Sequence, residues 1–73
     1  MTPPNFALAV AAFGRRRPFL PFAVELHSGY QVRVHHPEAL RLRGTLAIFV
    51  TAAGTHVLFD AEAVRRVCDE SAL

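Results

Sequence analysis

The sequence predicts a mainly β domain (α+β in class) opened by one N-terminal helix, and three observations predict it. Between Phe22 and Val34, apolar and polar residues alternate on either side of Gly29, which is the period of half-buried strands around a turn. From Leu46 to Val50 every residue is apolar, as in a strand covered on both faces. Ahead of both, an alanine-rich stretch beginning at Pro3 and Pro4 has the composition of a helix.

The helix comes first. Thr2 is placed to cap it, the two prolines suit its first turn, and Gly14 ends it. Phe6, Val10 and Phe13 recur at helical spacing and form its packing stripe, with Ala7 and Ala11 permitting close approach. Pro18 and Pro21 then hold the connector extended, and neither has an amide proton for a sheet ladder, so the first strand starts near Phe22. If Gly29 takes the left-handed position of a His27-Ser28-Gly29 loop, Leu26 pairs with Tyr30, Val24 with Val32 and Phe22 with Val34, on one apolar face.

Pro37 closes the second strand, and Leu40 and Leu42 alternate with Arg41 and Arg43 before Gly44. The doubly apolar strand Leu46 to Val50 turns at Ala53-Gly54 into Thr55 to Phe59. In so small a sheet, such a strand is either central to a barrel or part of a subunit interface. Asp60 is placed to cap a turn over Ala61 to Ala63. Val64 to Cys68 fits a helical stripe as well as a short strand, and residues 69–73 are expected to fray. The whole reads as one domain, with the helix over 1–14 and the β portion over 18–68.

Length sharpens the question of association. A 73-residue chain buries only about 60% of the surface its unfolded form exposes. Cys68 is the only cysteine, so no intrachain disulfide can add stability, and a lone thiol fits a reducing cytoplasm. With 52% hydrophobic residues, the remaining source of burial is self-association into a homo-oligomer. Arg16-Arg17-Pro18-Phe19-Leu20 resembles the core of a twin-arginine export signal, but Glu25, His27 and Arg33 interrupt the apolar stretch that should follow. The apolar residues Phe6 to Phe13 precede the arginines and fall far short of the roughly 20 a membrane span needs. A soluble protein without membrane contact is expected.

All eight basic residues are arginine, and the formal net charge is +2. Arginine favours bidentate contacts with phosphate and carboxylate and stacks on flat rings, although a GC-rich coding sequence also replaces lysine with arginine. Arg15, Arg16 and Arg17, followed by Phe19 and Phe22, form the candidate site for RNA or another polyanion, and Arg41 and Arg43 extend it. The alternative is a protein-interaction and assembly module without nucleic acid, its surface formed by the doubly apolar strand and the helix, with Ile48, Phe49, Val50 and Val57 at its interface. Arg65 and Arg66 are expected to pair with Glu62, Asp69 or Glu70.

Catalysis finds little support. Cys68 lies in an apolar stripe and Ser28 in a turn, and neither has a base and an orienting acid at recognisable spacing. In His35-His36-Pro37-Glu38, adjacent strand residues point to opposite faces, which works against joint chelation. The expected role of His36 or Glu38 is a hydrogen bond to backbone where the strand ends. The sequence therefore predicts no enzyme, no metal and no cofactor.

A helix followed by short, bent antiparallel strands resembles the Sm/Lsm/Hfq barrel, whose SH3-like members form rings. Leu26-His27-Ser28-Gly29 stands where that family has leucine, any residue, an acid or asparagine, and glycine, with Ser28 substituted. The stretch from His56 to Val67 is similar to the family's fourth strand, brief turn and fifth strand. The resemblance implies a small five-stranded antiparallel Sm/SH3-like barrel, an oligomer joined through strand edges, and RNA binding. The RNA-contacting pieces depart from it: the asparagine-bearing loop is absent, and the turn at residues 60–63 has neither the arginine-glycine pair of Sm proteins nor the lysine-histidine of Hfq. The chain also resembles short uncharacterised bacterial proteins in carrying Pro18-Phe19-Leu20-Pro21-Phe22, Gly29 and His36-Pro37-Glu38 in that order. That resemblance brings no activity with it.

Overall fold

Thr2 is the N-cap of the helix, its hydroxyl accepting from the Asn5 N–H at 3.3 Å, and helix α1 runs from Pro3 to Gly14 in the computed structural model, which describes residues 1–73. Phe6 is buried, and Val10 and Phe13 pack beside it, as their spacing predicts. Ala7, expected to permit close approach, instead faces solvent. No helix is long and apolar enough to cross a membrane.

Six strands follow in two three-stranded antiparallel sheets, giving a mixed α+β, strand-rich fold. Sheet A has the order β2 (Gln31–Val34), β1 (Phe22–Leu26), β6 (Val64–Asp69). Sheet B has the order β3 (Leu40–Arg43), β4 (Leu46–Val50), β5 (His56–Asp60). The expected five-stranded barrel is thus resolved into six strands in two sheets, neither of which closes on itself. Pro37 closes the second strand as expected: it lacks an N–H and starts a 3₁₀ turn over Pro37–Ala39, which separates β2 from β3. The sixth strand is Val64–Asp69, which takes the strand alternative and completes sheet A beside β1.

The first hairpin has the register expected from its alternation. Phe22 pairs with Val34 and Val24 with Val32, while the Leu26 N–H donates to the Tyr30 carbonyl at 2.9 Å. Gly29 has φ 94°, a conformation that L side chains avoid. Gly29→Ala is expected to destabilise the domain by about 1–2 kcal/mol through backbone strain alone, since nothing lies within 4 Å of the added Cβ. A melting temperature equal to the parent's would disprove that assignment of the register to Gly29.

The core lies between the sheets, with α1 across one opening. Phe22, Val24, Val32, Val34 and Val64 from sheet A meet Leu40, Ala47 and Phe59 from sheet B, and Phe6 sets its ring edge-on to Phe59 with centroids 6.1 Å apart. Asp60 caps the 3₁₀ turn Ala61–Ala63 as predicted, accepting from the Glu62 N–H at 3.3 Å. The end of the chain is not frayed. Asp69 completes β6, Glu70–Ala72 forms a further 3₁₀ turn, and the Glu70 N–H donates to the Pro21 carbonyl at 3.3 Å.

Candidate interaction surface

The register of sheet B decides which residues of the doubly apolar strand meet solvent. Gly44, with φ 60°, begins a two-residue turn that pairs Arg43 with Leu46 and Arg41 with Ile48. Across β4, Leu46 pairs with Asp60, Ile48 with Leu58 and Val50 with His56. Directly opposed residues share a face, so one face of the sheet carries Arg43-Leu46-Asp60, Arg41-Ile48-Leu58 and Val50-His56 as successive rows. The other carries Leu40-Phe49-Val57 and Leu42-Ala47-Phe59 toward the core.

This divides the predicted interface. Phe49 and Val57 pack against the core cluster, whereas Ile48 and Val50 lie on the outer face. Two further residues complete that face: Leu58 is 59% exposed and Leu46 is 37% exposed. No element covers them. An apolar strip of four aliphatic side chains thus runs across the outer face, bounded by Arg41 and Arg43 along β3 and by Asp60 and His56 along β5. At one end, a shallow depression is lined by His36, Glu38, Arg41, Ile48, Val50 and His56. Leu58 escaped the sequence reading because its outward direction follows from the β4–β5 register.

The predicted arginine cluster is largely committed to the fold. Arg16 pairs with Asp69 at 2.5 Å, donates to the Leu20 carbonyl at 3.1 Å and lies 4.6 Å above the Phe13 ring. Arg17 turns back onto the carbonyls of Gly14 at 3.2 Å and Arg16 at 2.9 Å. Arg15 supplies the helix C-cap through its backbone, and its side chain is exposed without a hydrogen bond. Phe22 is buried and so is not presented for stacking on a base, and the half-buried Phe19 packs on it edge-on.

The two groups of arginines stand toward opposite ends of β6. Arg16 is held at Asp69, the last residue of β6. Arg43 lies in the row of Asp60, next to the turn that leads into the first residue of β6. The six residues of β6 separate these ends by about 17 Å at ~3.3 Å per residue.

The remaining charges also find partners that sequence proximity did not suggest. Arg66 pairs with Glu25 across β6 and β1 at 2.8 Å, and Arg65 donates to the His27 carbonyl at 3.4 Å, in place of the expected Glu62, Asp69 and Glu70. Glu70 instead receives His35 at 2.7 Å and Arg33 at 3.6 Å. His36 and Glu38 make no side-chain hydrogen bond, contrary to expectation; the strand end is closed by the Ala39 N–H donating to the His36 carbonyl at 3.0 Å. No group of three or more His, Cys, Asp or Glu side chains is arranged to hold a metal ion. Ser28 Oγ accepts from the Tyr30 N–H at 3.3 Å, and Cys68 lies half-buried opposite Ala23. No protein-family model matches the chain, and no curated protein or solved structure matches it.

Proposed function

We propose that this protein is a non-enzymatic assembly module that associates with itself through the outer face of sheet B. The observation that carries the reading is the apolar strip of exposed Leu46, Val50 and Leu58 around the half-buried Ile48, on a molecule that buries only 11 of its 73 residues. A domain this small gains stability from covering such a strip, and the strip is central to a face bordered by charged side chains, the anatomy of an interface core and rim. Strand edges are the less suitable route to assembly. Three of the four edge strands carry arginine: Arg33 on β2, Arg41 and Arg43 on β3, and Arg65 and Arg66 on β6. The element order, with a helix, a hairpin, a bend at Pro37 and a 3₁₀ turn before the last strand, supports an Sm/SH3-like barrel as the framework of the proposal.

Leu58→Asp tests it. Because Leu58 is 59% exposed, the substitution is expected to leave the monomer folded, with a melting temperature lower by no more than the lost association contributed. It should convert an oligomer to a monomer on light scattering during size-exclusion chromatography. A parent protein that is already monomeric, or an oligomer indifferent to the substitution, would defeat the reading. Binding of RNA or another polyanion is a second reading, favoured by one observation: Arg41 and Arg43 stand on the same outer face and form no ion pair within the chain. Nucleic acid co-eluting with the protein, read at 260 nm on the same column, would reverse the order of the two.

A further inference from the structure

We infer that the occupant of this face is a second copy of the chain, bound face to face about a two-fold axis parallel to β4, with reciprocal ion pairs between Arg43 and the partner's Asp60. The inference rests on the assembly reading and adds its geometry. Arg43, Leu46 and Asp60 occupy one row across sheet B, with the cation on one edge strand and the anion on the other. Neither has an ion-pair partner within the chain. Asp60 gives one hydrogen bond acceptor to the Glu62 N–H and remains exposed.

Rotation about an axis parallel to the strands lays β3 of each copy over the partner's β5, and β4 over the partner's β4. Rows are conserved by that rotation. Arg43 then faces the partner's Asp60, Asp60 faces the partner's Arg43, and Ile48 meets the partner's Ile48 at the centre. Arg41 faces the partner's Leu58, where its alkyl stem can cover apolar surface while the guanidinium stays in water. Aligned sheets pack about 10 Å apart with strands within about 30° of parallel, a spacing that the side chains of the two inner faces fill. The other in-plane axis, across the strands, lays β3 over the partner's β3 and sets Arg41 against the partner's Arg41, a like-charge contact that disfavours it.

Charge therefore selects one arrangement of the apolar strip. The outer face of α1, where Leu8 is exposed, offers no comparable selection, since no charged residue lies between Pro3 and Gly14. A face of three short strands places the contact below about 1,200 Å² in total, the range of transient association. The assembly is a closed pair, because a two-fold contact uses the same patch on both copies.

The experiment is a charge exchange followed by sedimentation velocity at about 100 µM, a concentration suited to micromolar association. Arg43→Asp and Asp60→Arg should each be monomeric alone, every new contact being between like charges. Mixed in equal amounts they should sediment as a pair, since Asp at 43 in one copy then faces Arg at 60 in the other and both native-type contacts are restored. Asp60→Arg also removes the cap of the 3₁₀ turn, so Asp60→Asn, which keeps a capping oxygen, provides a second measurement: its dimer should be weaker than the parent's by about tenfold. A mixture that stays monomeric, an Arg43→Asp variant that pairs as well as the parent, or a parent mass above two chains would overturn the arrangement. If Leu58→Asp dissociates the pair while the charge variants do not, the arrangement fails and the assembly reading stands. A monomeric parent removes both.

Discussion

Phe22→Ala is expected to remove about 3–5 kcal/mol of the protein's stability, about half of it or more. Phe22 is 1% exposed and lies between two other rings, with centroids 5.3 Å from Phe13 and 6.1 Å from Phe19. Removing it loses the transfer free energy of the ring and leaves a cavity that Phe13 on α1 and Phe19 in the connector cannot both fill, a loss of about 3–5 kcal/mol. A domain of 73 residues has roughly 4–11 kcal/mol in total at ~0.05–0.15 kcal/mol per residue. The two ranges meet, so one side chain is worth much of the fold. Urea titration followed by circular dichroism measures it, and a variant whose midpoint matches the parent's would show that the aromatic cluster is not the keystone of the core.

Val24→Asp is expected to be more severe still, and to carry a pH signature. Val24 is fully buried in the central strand of sheet A, paired with Val32 on one side and Val67 on the other. A carboxylate there has no cation within the core cluster, which contains only apolar residues. Burying that charge costs more than the total stability allows, so the variant is unfolded at neutral pH. Burial raises the folded-state pKa of the new carboxyl above the roughly 3.9 of the unfolded chain. The variant is therefore most stable below that value and loses stability as pH rises toward the raised one. Far-ultraviolet circular dichroism at pH 3.5 and pH 7 should show more structure at the lower pH. Equal signals at both would mean that the site is hydrated.

Where the sequence carries alternation, the fold is legible in it. Phe22-Ala-Val-Glu-Leu and Gln31-Val-Arg-Val have one apolar side each, so a single glycine in the left-handed region settles the register of the hairpin. Leu46-Ala-Ile-Phe-Val has two apolar sides and thus no internal mark of which is inward. The turn at Gly44 assigns it, turning Ala47 and Phe49 in and Leu46, Ile48 and Val50 out, which is why only half of the predicted interface lies on the exposed face. Val64 to Cys68 satisfies both periods, and its pairing with β1 decides for the strand. The docked end of the chain was illegible for another reason. Arg16 and Asp69 are 53 residues apart, and only the three-dimensional arrangement of α1 beside β6 brings them into contact. The same contact removes Arg16 from the arginine cluster, so a charge pattern that reads as a site in sequence is partly a brace in the fold.

The two sheets also differ in how far along the chain their strands must reach. Sheet B joins neighbours through tight turns, while sheet A is complete only when β6 finds β1, as in the Glu25–Arg66 pair 41 residues apart. Closing a loop costs entropy that grows with its length, and compact structure inside the loop shortens the free chain to be closed. Kinetically, the meander of β3, β4 and β5 is the natural first piece to form, and β6 the last to arrive. Until it does, the apolar residues Val24 and Leu26 border an edge with one side unpaired. The interval between the two events is when the chain is most open to pairing with a stranger, and its duration depends on how quickly residues 40–60 draw the ends of that loop together.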